Sequence, residues 1–299
     1  MKRTAYCKIN LTLEILGTER NDGFHDLKSI MHKIPLGDEI ELIANEGKGK
    51  LEFFCDTDVC SPEDNLAYRA AERYIEAYKK NTGKNADVSI KLTKITPTGA
   101  GLGGGSADAA TVLDMLHESL GGVTEEEVLS LATELGSDVP FCLGRYMSAF
   151  CTGRGEICRN ISTLPTGTCL VVAKPEESIN TKGIYGEYDK KHGNDYTKSM
   201  SEKMEEALGG GKLTCVSECL VNDFEDVCIP RLYEIKTIKD VIMQSGALCG
   251  QMSGSGSAVF GLFDEEEKAE LCAKSLKKAG LKNVYAFADK DFEKMYKGE

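Results

Sequence analysis

The residues most suited to chemistry lie between Pro97 and Ala107, where the chain reads Pro97-Thr98-Gly99-Ala100-Gly101-Leu102-Gly103-Gly104-Gly105-Ser106-Ala107, with five glycines in the seven positions 99–105. Glycines let a backbone approach a ligand closely and aim its N–H groups inward, and a helix that follows adds the positive end of its dipole. Such a loop suits a phosphate. A glycine-rich structural turn is the plainer alternative, but a turn alone rarely needs so many permissive residues. The P-loop pattern fails, because Gly105 stands where its lysine should be. Gly99, Gly101 and Gly104 satisfy G-x-G-x-x-G, yet a dinucleotide fold continues with a second strand that ends in an acidic residue about twenty positions on. Here a second helix is predicted instead, which disfavours a dinucleotide oxidoreductase.

Other candidates are less decisive alone. Lys8, within Cys7-Lys8-Ile9-Asn10-Leu11, reads as a solvated charge on a strand. Asp138 follows a predicted helix and stands two residues before Pro140, where a carboxylate commonly caps a turn. His25 reads as a surface histidine, Lys94 as a solvated lysine, and Gly254-Ser255-Gly256 as a simple loop.

The elements that must position these residues follow from periodicity. Ile9, Leu11, Leu13 and Ile15 alternate with other residues, which predicts a half-buried strand over 6–16, followed by a turn at Asn21-Asp22-Gly23. Strands are expected at 39–43, 51–54 and 88–92, helices at 66–78 and 106–120, and a capped helix at 124–135, where Thr124 and Glu127 form a capping-box pattern. Strand, glycine loop and helix thus run in sequence. Beyond a boundary placed at 163/164, strands are predicted at 169–173, 247–251, 258–263 and 284–287, with helices at 201–208, 230–245 and 265–279. Strands and helices interleave without a strict βαβ repeat, so the expected class is α+β, with helices on one face of an antiparallel sheet.

At 299 residues the chain is long enough for two domains, and 41% hydrophobic residues can bury a full core. A formal charge of -12 with no basic stripe argues against a nucleic-acid partner, and an anionic ligand would need local donors or a metal. The twelve cysteines include no Cys-x-x-Cys pair, so reduced thiols in a cytoplasmic protein are expected rather than a disulfide framework or zinc site. Lys8, Asn10 and Glu14 interrupt what would be the apolar segment of a signal peptide, and no apolar run reaches bilayer length; no membrane association is expected.

Pro97 to Ala107 resembles the phosphate-binding motif of the GHMP kinases. Cys7 to Leu11 is similar to their N-terminal motif and Gln251-Met252-Ser253-Gly254-Ser255-Gly256-Ser257 to their C-terminal glycine motif, in the family's order. Asn21 to His25, Asp64 to Ala67, Leu135 to Phe141, Gly153 to Glu156 and Asn222 to Glu225 resemble the branch whose acceptor is a cytidine diphosphate-linked methylerythritol. The resemblance implies a two-lobed GHMP kinase fold: an N-terminal lobe like ribosomal protein S5 domain 2 over 1–163, a ferredoxin-like C-terminal lobe over 164–299, and ATP and substrate meeting between them. It implies Asp138 as the acceptor of the hydroxyl proton and Lys8 as its electrostatic partner. Pro97 to Ala107 would hold the ATP phosphates, with Asn65 and Lys94 near the adenine. His25 would read cytosine beside Phe24, which stands where a tyrosine is usual, and Asn10 would approach the sugar alcohol. Lys174, Thr181 and Tyr185 match more loosely, and Tyr185 could equally be a core or lid residue. Ser106 is the candidate Mg²⁺ ligand. A monomer or homodimer is expected. Other acceptors of the superfamily (homoserine, mevalonate or a sugar) and a non-catalytic sensor remain alternatives.

Overall fold

The computed structural model describes residues 1–17, 25–57, 60–144, 146–179, 183–192 and 198–297. The expected turn at 21–23, Phe24 and Thr181 lie outside them. Two compact units emerge, neither contiguous in sequence: Met1–Cys7, Leu36–Thr98 and Gly103–Arg145 form the first, and Lys8–Pro35, Gly99–Leu102 and Tyr146–Glu299 the second. Strands β1 (Lys2–Leu16) and β2 (Asp26–Gly47) each contribute residues to both.

In the first unit, the later part of β2 pairs antiparallel with β4 (Asn85–Thr93), from Glu39↔Thr93 to Gly47↔Asn85, and β3 (Leu51–Cys55) runs parallel to β4. The period of β4 is two: Ala86, Val88, Ile90 and Leu92 are buried while Ser89 and Lys91 face solvent. The buried face packs with helices α1 (Leu66–Thr82), α2 (Gly104–Leu120), α3 (Glu125–Leu135) and α4 (Val139–Leu143) into one core. Helix α1 starts at Asn65, whose side chain accepts the Ala67 N–H at 2.9 Å, and ends at Gly83 in the left-handed region. Its Ala67, Ala70 and Ala71 and the Ala107, Ala109 and Ala110 of α2 are small, so the two helices can approach closely. The expected Thr124–Glu127 capping box opens α3.

In the second unit, the earlier part of β2 pairs with β5 (Ser148–Thr152), and β5 with β6 (Ile157–Asn160), both antiparallel, while β1 runs parallel to the short β8 (Val221–Asn222). A further antiparallel sheet has the order β11-β7-β10-β9, formed by Asn283–Phe287, Cys169–Lys174, Val259–Phe263 and Cys249–Met252. Both β7 and β10 are buried along their whole length. Helix α9 (Glu234–Gln244) buries Ile235, Ile238 and Ile242 in this core, and α10 (Glu266–Lys278) buries Ala269, Cys272, Ala273 and Leu276. Helices α5 (Ile184–His192), α6 (Met200–Gly209), α7 (Leu213–Ser217), α8 (Glu225–Cys228) and α11 (Asp289–Lys297) complete the unit.

The α+β class stands, and the strongly periodic elements fall where periodicity puts them. Strand β2 is the main departure. The expected strand covers only 39–43, whereas β2 already begins at Asp26 and runs through Pro35 and Gly37. Gly37 belongs there because the backbone of β1 passes close: a Cβ would lie 2.5 Å from the Ala5 carbonyl oxygen. The expected turn around Pro140 is instead α4, since proline is tolerated in a first helical turn.

Candidate functional site

Lys8 and Asn10 are neighbours on β1 two residues apart, so their side chains leave the same face. Both are buried. The Lys8 ammonium donates to Asn10 Oδ1 at 2.6 Å and to the Gly101 carbonyl at 3.2 Å, and its backbone N–H donates to the Leu102 carbonyl. The Asn10 amide donates onward to Ser29 Oγ at 2.8 Å, which donates to the Thr12 carbonyl. Ser253 Oγ accepts the Asn10 N–H and donates to the Gly101 carbonyl at 3.0 Å. A predicted general-base partner, a predicted acceptor-binding residue and the first half of the glycine loop therefore share one hydrogen-bonded network.

That half-loop is held by the C-terminal glycine motif. Ala258 N–H donates to the Ala100 carbonyl and Ser257 N–H to that of Gly99. Gly101 has φ +73°, and a Cβ there would lie 2.1 Å from the Ser253 carbonyl oxygen, so only glycine fits. Asn222 fixes the motif in turn: its amide donates to the carbonyls of Met252 and Gly254, both at 2.8 Å, while its Oδ1 accepts the Phe224 N–H.

The second half of the loop, from Gly103, belongs to the first unit and starts α2, with Gly103 as its N-cap. Thr98, Gly99 and Gly105 are exposed and Ser106 is half-buried, whereas Ala100, Leu102 and Ala107 are buried anchors. Beneath the start of α2 sits a buried charge cluster. Lys94 Nζ donates to Asp38 at 2.5 Å and to Asp108 at 2.7 Å, and Asp38 Oδ1 accepts the N–H groups of Ile95 and Thr96. Both Asp38 oxygens thus accept hydrogen bonds, while Asp108 Oδ1 has no partner. Burial pushes the Asp108 carboxyl up to about 7, with Lys94 opposing and Asp38 reinforcing the shift. Two carboxylates around one ammonium therefore retain a proton on Asp108 into the neutral range.

Asp138 stands at the N-terminus of α4 in the first unit, half-buried, and its side chain makes no capping bond. Asn65 and Lys94 have structural partners, the α1 cap and the carboxylate pair, so the Lys94 charge is compensated within its own unit.

His25 is buried in the second unit. Its Nε2 lies 2.9 and 3.0 Å from the two Asp189 oxygens, and its ring stacks on Tyr185 at a centroid distance of 4.7 Å. Tyr185 meets Phe224 edge-on at 4.9 Å. The tyrosine expected as a second aromatic wall thus packs directly on the histidine. The Lys174 ammonium is buried, donates to the carbonyls of Pro175, Glu176 and Glu177, and is pulled below its ordinary value by burial, with Glu234 and Glu176 opposing. It braces the segment whose Glu177 carbonyl accepts Ser257 Oγ.

Sequence reasoning missed Asp38, Asp108, Asp189 and Ser29. Asp108 carried a usable signal, an acid among Ala107, Ala109, Ala110 and Val112 on a helix; the others carried none. Among the described residues, no group of three or more histidine, cysteine or acidic side chains is arranged to hold a metal, and no helix is long and apolar enough to cross a membrane.

Comparison with known proteins agrees with this arrangement. The GHMP kinases N terminal domain family matches residues 65–145 and the GHMP kinases C terminal family matches residues 204–282. The 4-diphosphocytidyl-2-C-methyl-D-erythritol kinase of Desulfitobacterium hafniense is 39% identical over 90% of this chain and 89% of its own. Its namesake from Clostridium acetobutylicum is 35% identical over 93% and 96%. A crystal structure of 4-(cytidine 5'-diphospho)-2C-methyl-D-erythritol kinase superposes with a TM-score of 0.78 at 32% identity, covering 96% of this chain and 98% of that one. With both family domains present and relatives of this identity matched along nearly their whole length, the chain belongs to the GHMP kinases, ATP-dependent enzymes that phosphorylate small molecules.

Proposed function

We propose that this protein transfers the γ-phosphoryl group of ATP to the 2-hydroxyl of 4-diphosphocytidyl-2-C-methyl-D-erythritol, giving the 2-phosphate and ADP, in the formation of isoprenoid precursors by the non-mevalonate route. The observation that carries this reading is the identity of 35–39% to curated kinases of that name over 89–96% of their length. The clasp on the glycine loop supports it, because phosphoryl transfer depends mainly on positioning and charge stabilisation.

In this reading the backbone of 97–107 receives the triphosphate, Asp138 accepts the proton of the acceptor hydroxyl, and Lys8 stabilises charge at that oxygen. Asn10 orients the sugar alcohol, and His25, Phe24, Tyr185, Lys174 and Thr181 contribute to the cytidine side. With Nε2 turned to Asp189, His25 would use Nδ1 or its backbone toward cytosine. The sequence divides near 163/164 into the two lobes that the resemblance implies, a division distinct from the two discontinuous packing units, and the enzyme acts in the cytoplasm as a monomer or homodimer.

Ser106 offers one oxygen in the half-buried first turn of α2. That fits a Mg²⁺ ion held mostly by ATP oxygens and water, a common arrangement that needs no protein cage. When bound, the ion neutralises charge on the β- and γ-phosphates.

The test is ADP release from ATP and Mg²⁺ with a panel of diphosphocytidyl-methylerythritol, mevalonate, homoserine and galactose. The first should be turned over fastest. Faster turnover of any other, or none at all, sinks the assignment.

A further inference from the structure

The site residues named above include none of the twelve cysteines, and several of those cysteines are buried. Cys228 and Cys249 are buried, and burial is the main cause that pushes each thiol up to about 12. Cys272 lies on the buried face of α10. Such thiols are inert hydrophobes.

Cys151 and Cys158 differ. They stand directly opposite each other on the antiparallel strands β5 and β6, joined by the Gly153-Arg154-Gly155-Glu156 turn. The Ile161 N–H donates to the Ser148 carbonyl, so hydrogen-bonded and non-hydrogen-bonded pairs alternate from 148↔161, and Cys151↔Cys158 is a non-hydrogen-bonded pair. Cα atoms in such pairs are typically about 4.5 Å apart, within the range of about 4.4–6.8 Å that disulfides span. The two sulfurs are already in contact at 3.2 Å. Cys151 is fully buried, whereas Cys158 is half-buried and donates to the Gly155 carbonyl at 3.5 Å.

We propose that Cys151 and Cys158 are a site of reversible oxidation, closing a cross-strand disulfide in response to hydrogen peroxide and reopening with a small-molecule dithiol. The accessible Cys158 thiolate attacks the peroxide oxygen: an S–O bond forms, the O–O bond breaks, and the leaving hydroxide takes up a proton to become water. Cys151 sulfur then attacks the Cys158 sulfenic acid, forming the S–S bond and breaking the S–O bond. The second hydroxide leaves with the Cys151 proton as water. Two thiols are oxidised by two electrons and one peroxide is reduced to two waters. The sheet needs no new register, because the bond joins residues already paired. Its location has a consequence beyond the hairpin: Cys151 also stands opposite Ser29 on β2, and Ser29 holds the amide of Asn10.

The test is peptide mapping of the full chain after hydrogen peroxide, with free thiols blocked before non-reducing tryptic digestion. Cleavage after Arg145, Arg154 and Arg159 separates the two cysteines. The expected product is peptide 146–154 linked to peptide 155–159, lighter than their sum by two hydrogens, and separated again by dithiothreitol. Cys158→Ser and Cys151→Ser should each abolish it while the protein stays folded by circular dichroism. The exposed Cys60 and Cys215 serve as internal controls for oxidant strength. The proposal is overturned if those two are modified while 146–154 and 155–159 remain unlinked, or if Cys158 advances to sulfinic acid with Cys151 unchanged. The readout is a mass, so it is independent of whichever acceptor the kinase uses.

Discussion

The two halves of the glycine loop are supported in opposite ways. Residues 99–102 are held by hydrogen bonds from the backbone, the Ser253 hydroxyl and a single ammonium, and every carbonyl from Gly99 to Leu102 receives a donor. From Gly103 onward the support is a helix whose first turns sit over buried charge, with one carboxylate oxygen unpartnered. The first arrangement fixes a shape. The second leaves a buried acceptor unpaired, and an unpaired buried polar atom is costly where a satisfied one is not. A loop built this way has a rigid half set by sterics and a half whose support responds to protonation.

The comparison can be broken most severely at the chemistry itself. If Asp138 accepts the proton of the acceptor hydroxyl, Asp138→Asn should lower kcat by about 10²–10⁴-fold with nucleotide affinity nearly unchanged. ADP release together with ATP titration checks this; a folded variant with wild-type turnover would show that Asp138 is not the proton acceptor.

Next in size is the rigid half. Gly101→Ala places a Cβ against the Ser253 carbonyl oxygen and forces a left-handed alanine, which costs at least about 1–2 kcal/mol before the clash. The expected outcome is a lowered urea midpoint and weakened ATP binding. Asn222→Ala, by contrast, leaves the geometry free but strips donors from two carbonyls, for a loss of about 1–3 kcal/mol. It should weaken nucleotide binding less than Gly101→Ala does, and equal losses would mean that the steric fit adds nothing.

The smallest effects concern protons, and they separate the two units by sign. His32 in the second unit is fully buried, with Nδ1 on Ser148 and Nε2 unpartnered, and burial holds its ring at about 3 instead of 6.5. The unfolded chain binds that proton more readily, so the stability contributed by neutral His32 is full above about pH 6.5 and is lost as pH falls toward 3. Asp108 in the first unit has a carboxyl raised from 3.8 to about 7, so the native state holds the extra proton and stability falls as pH rises through that window. Each slope is at most about 1.4 kcal/mol per pH unit for one proton, and the two oppose each other between about pH 4 and 6.5. Urea midpoints measured from pH 4 to 7.5 should therefore be steeper and rising in Asp108→Asn, and falling in His32→Asn. Parallel profiles for both variants would remove the distinction drawn here.

Much of this molecule was legible in its sequence because the signals were local. Alternation in 88–92 and the Thr124–Glu127 cap act within one turn or strand, so neighbours decide the outcome. The glycine run was legible for the same reason: five glycines in seven positions have few uses other than close backbone approach. The lysine and asparagine of 7–11 could be singled out by type and resemblance, but not their joint hold on Gly101.

What the tertiary structure alone decided concerns residues whose partners are far away in the chain. Strand β2 runs through Pro35 and Gly37 because β1 lies against it, and no local preference announces that. Lys94 read as a solvated charge and became the centre of a buried cluster, since Asp38 lies 56 residues before it. Tyr185 read equally as a wall or a core residue, and stacking on His25, 160 positions earlier, was a matter of packing. Composition and periodicity determine which segments must bury a face or approach a phosphate. Which side chains then share a buried charge or a stacked ring depends on loop closure and packing between distant segments, whose energies no short window of sequence contains.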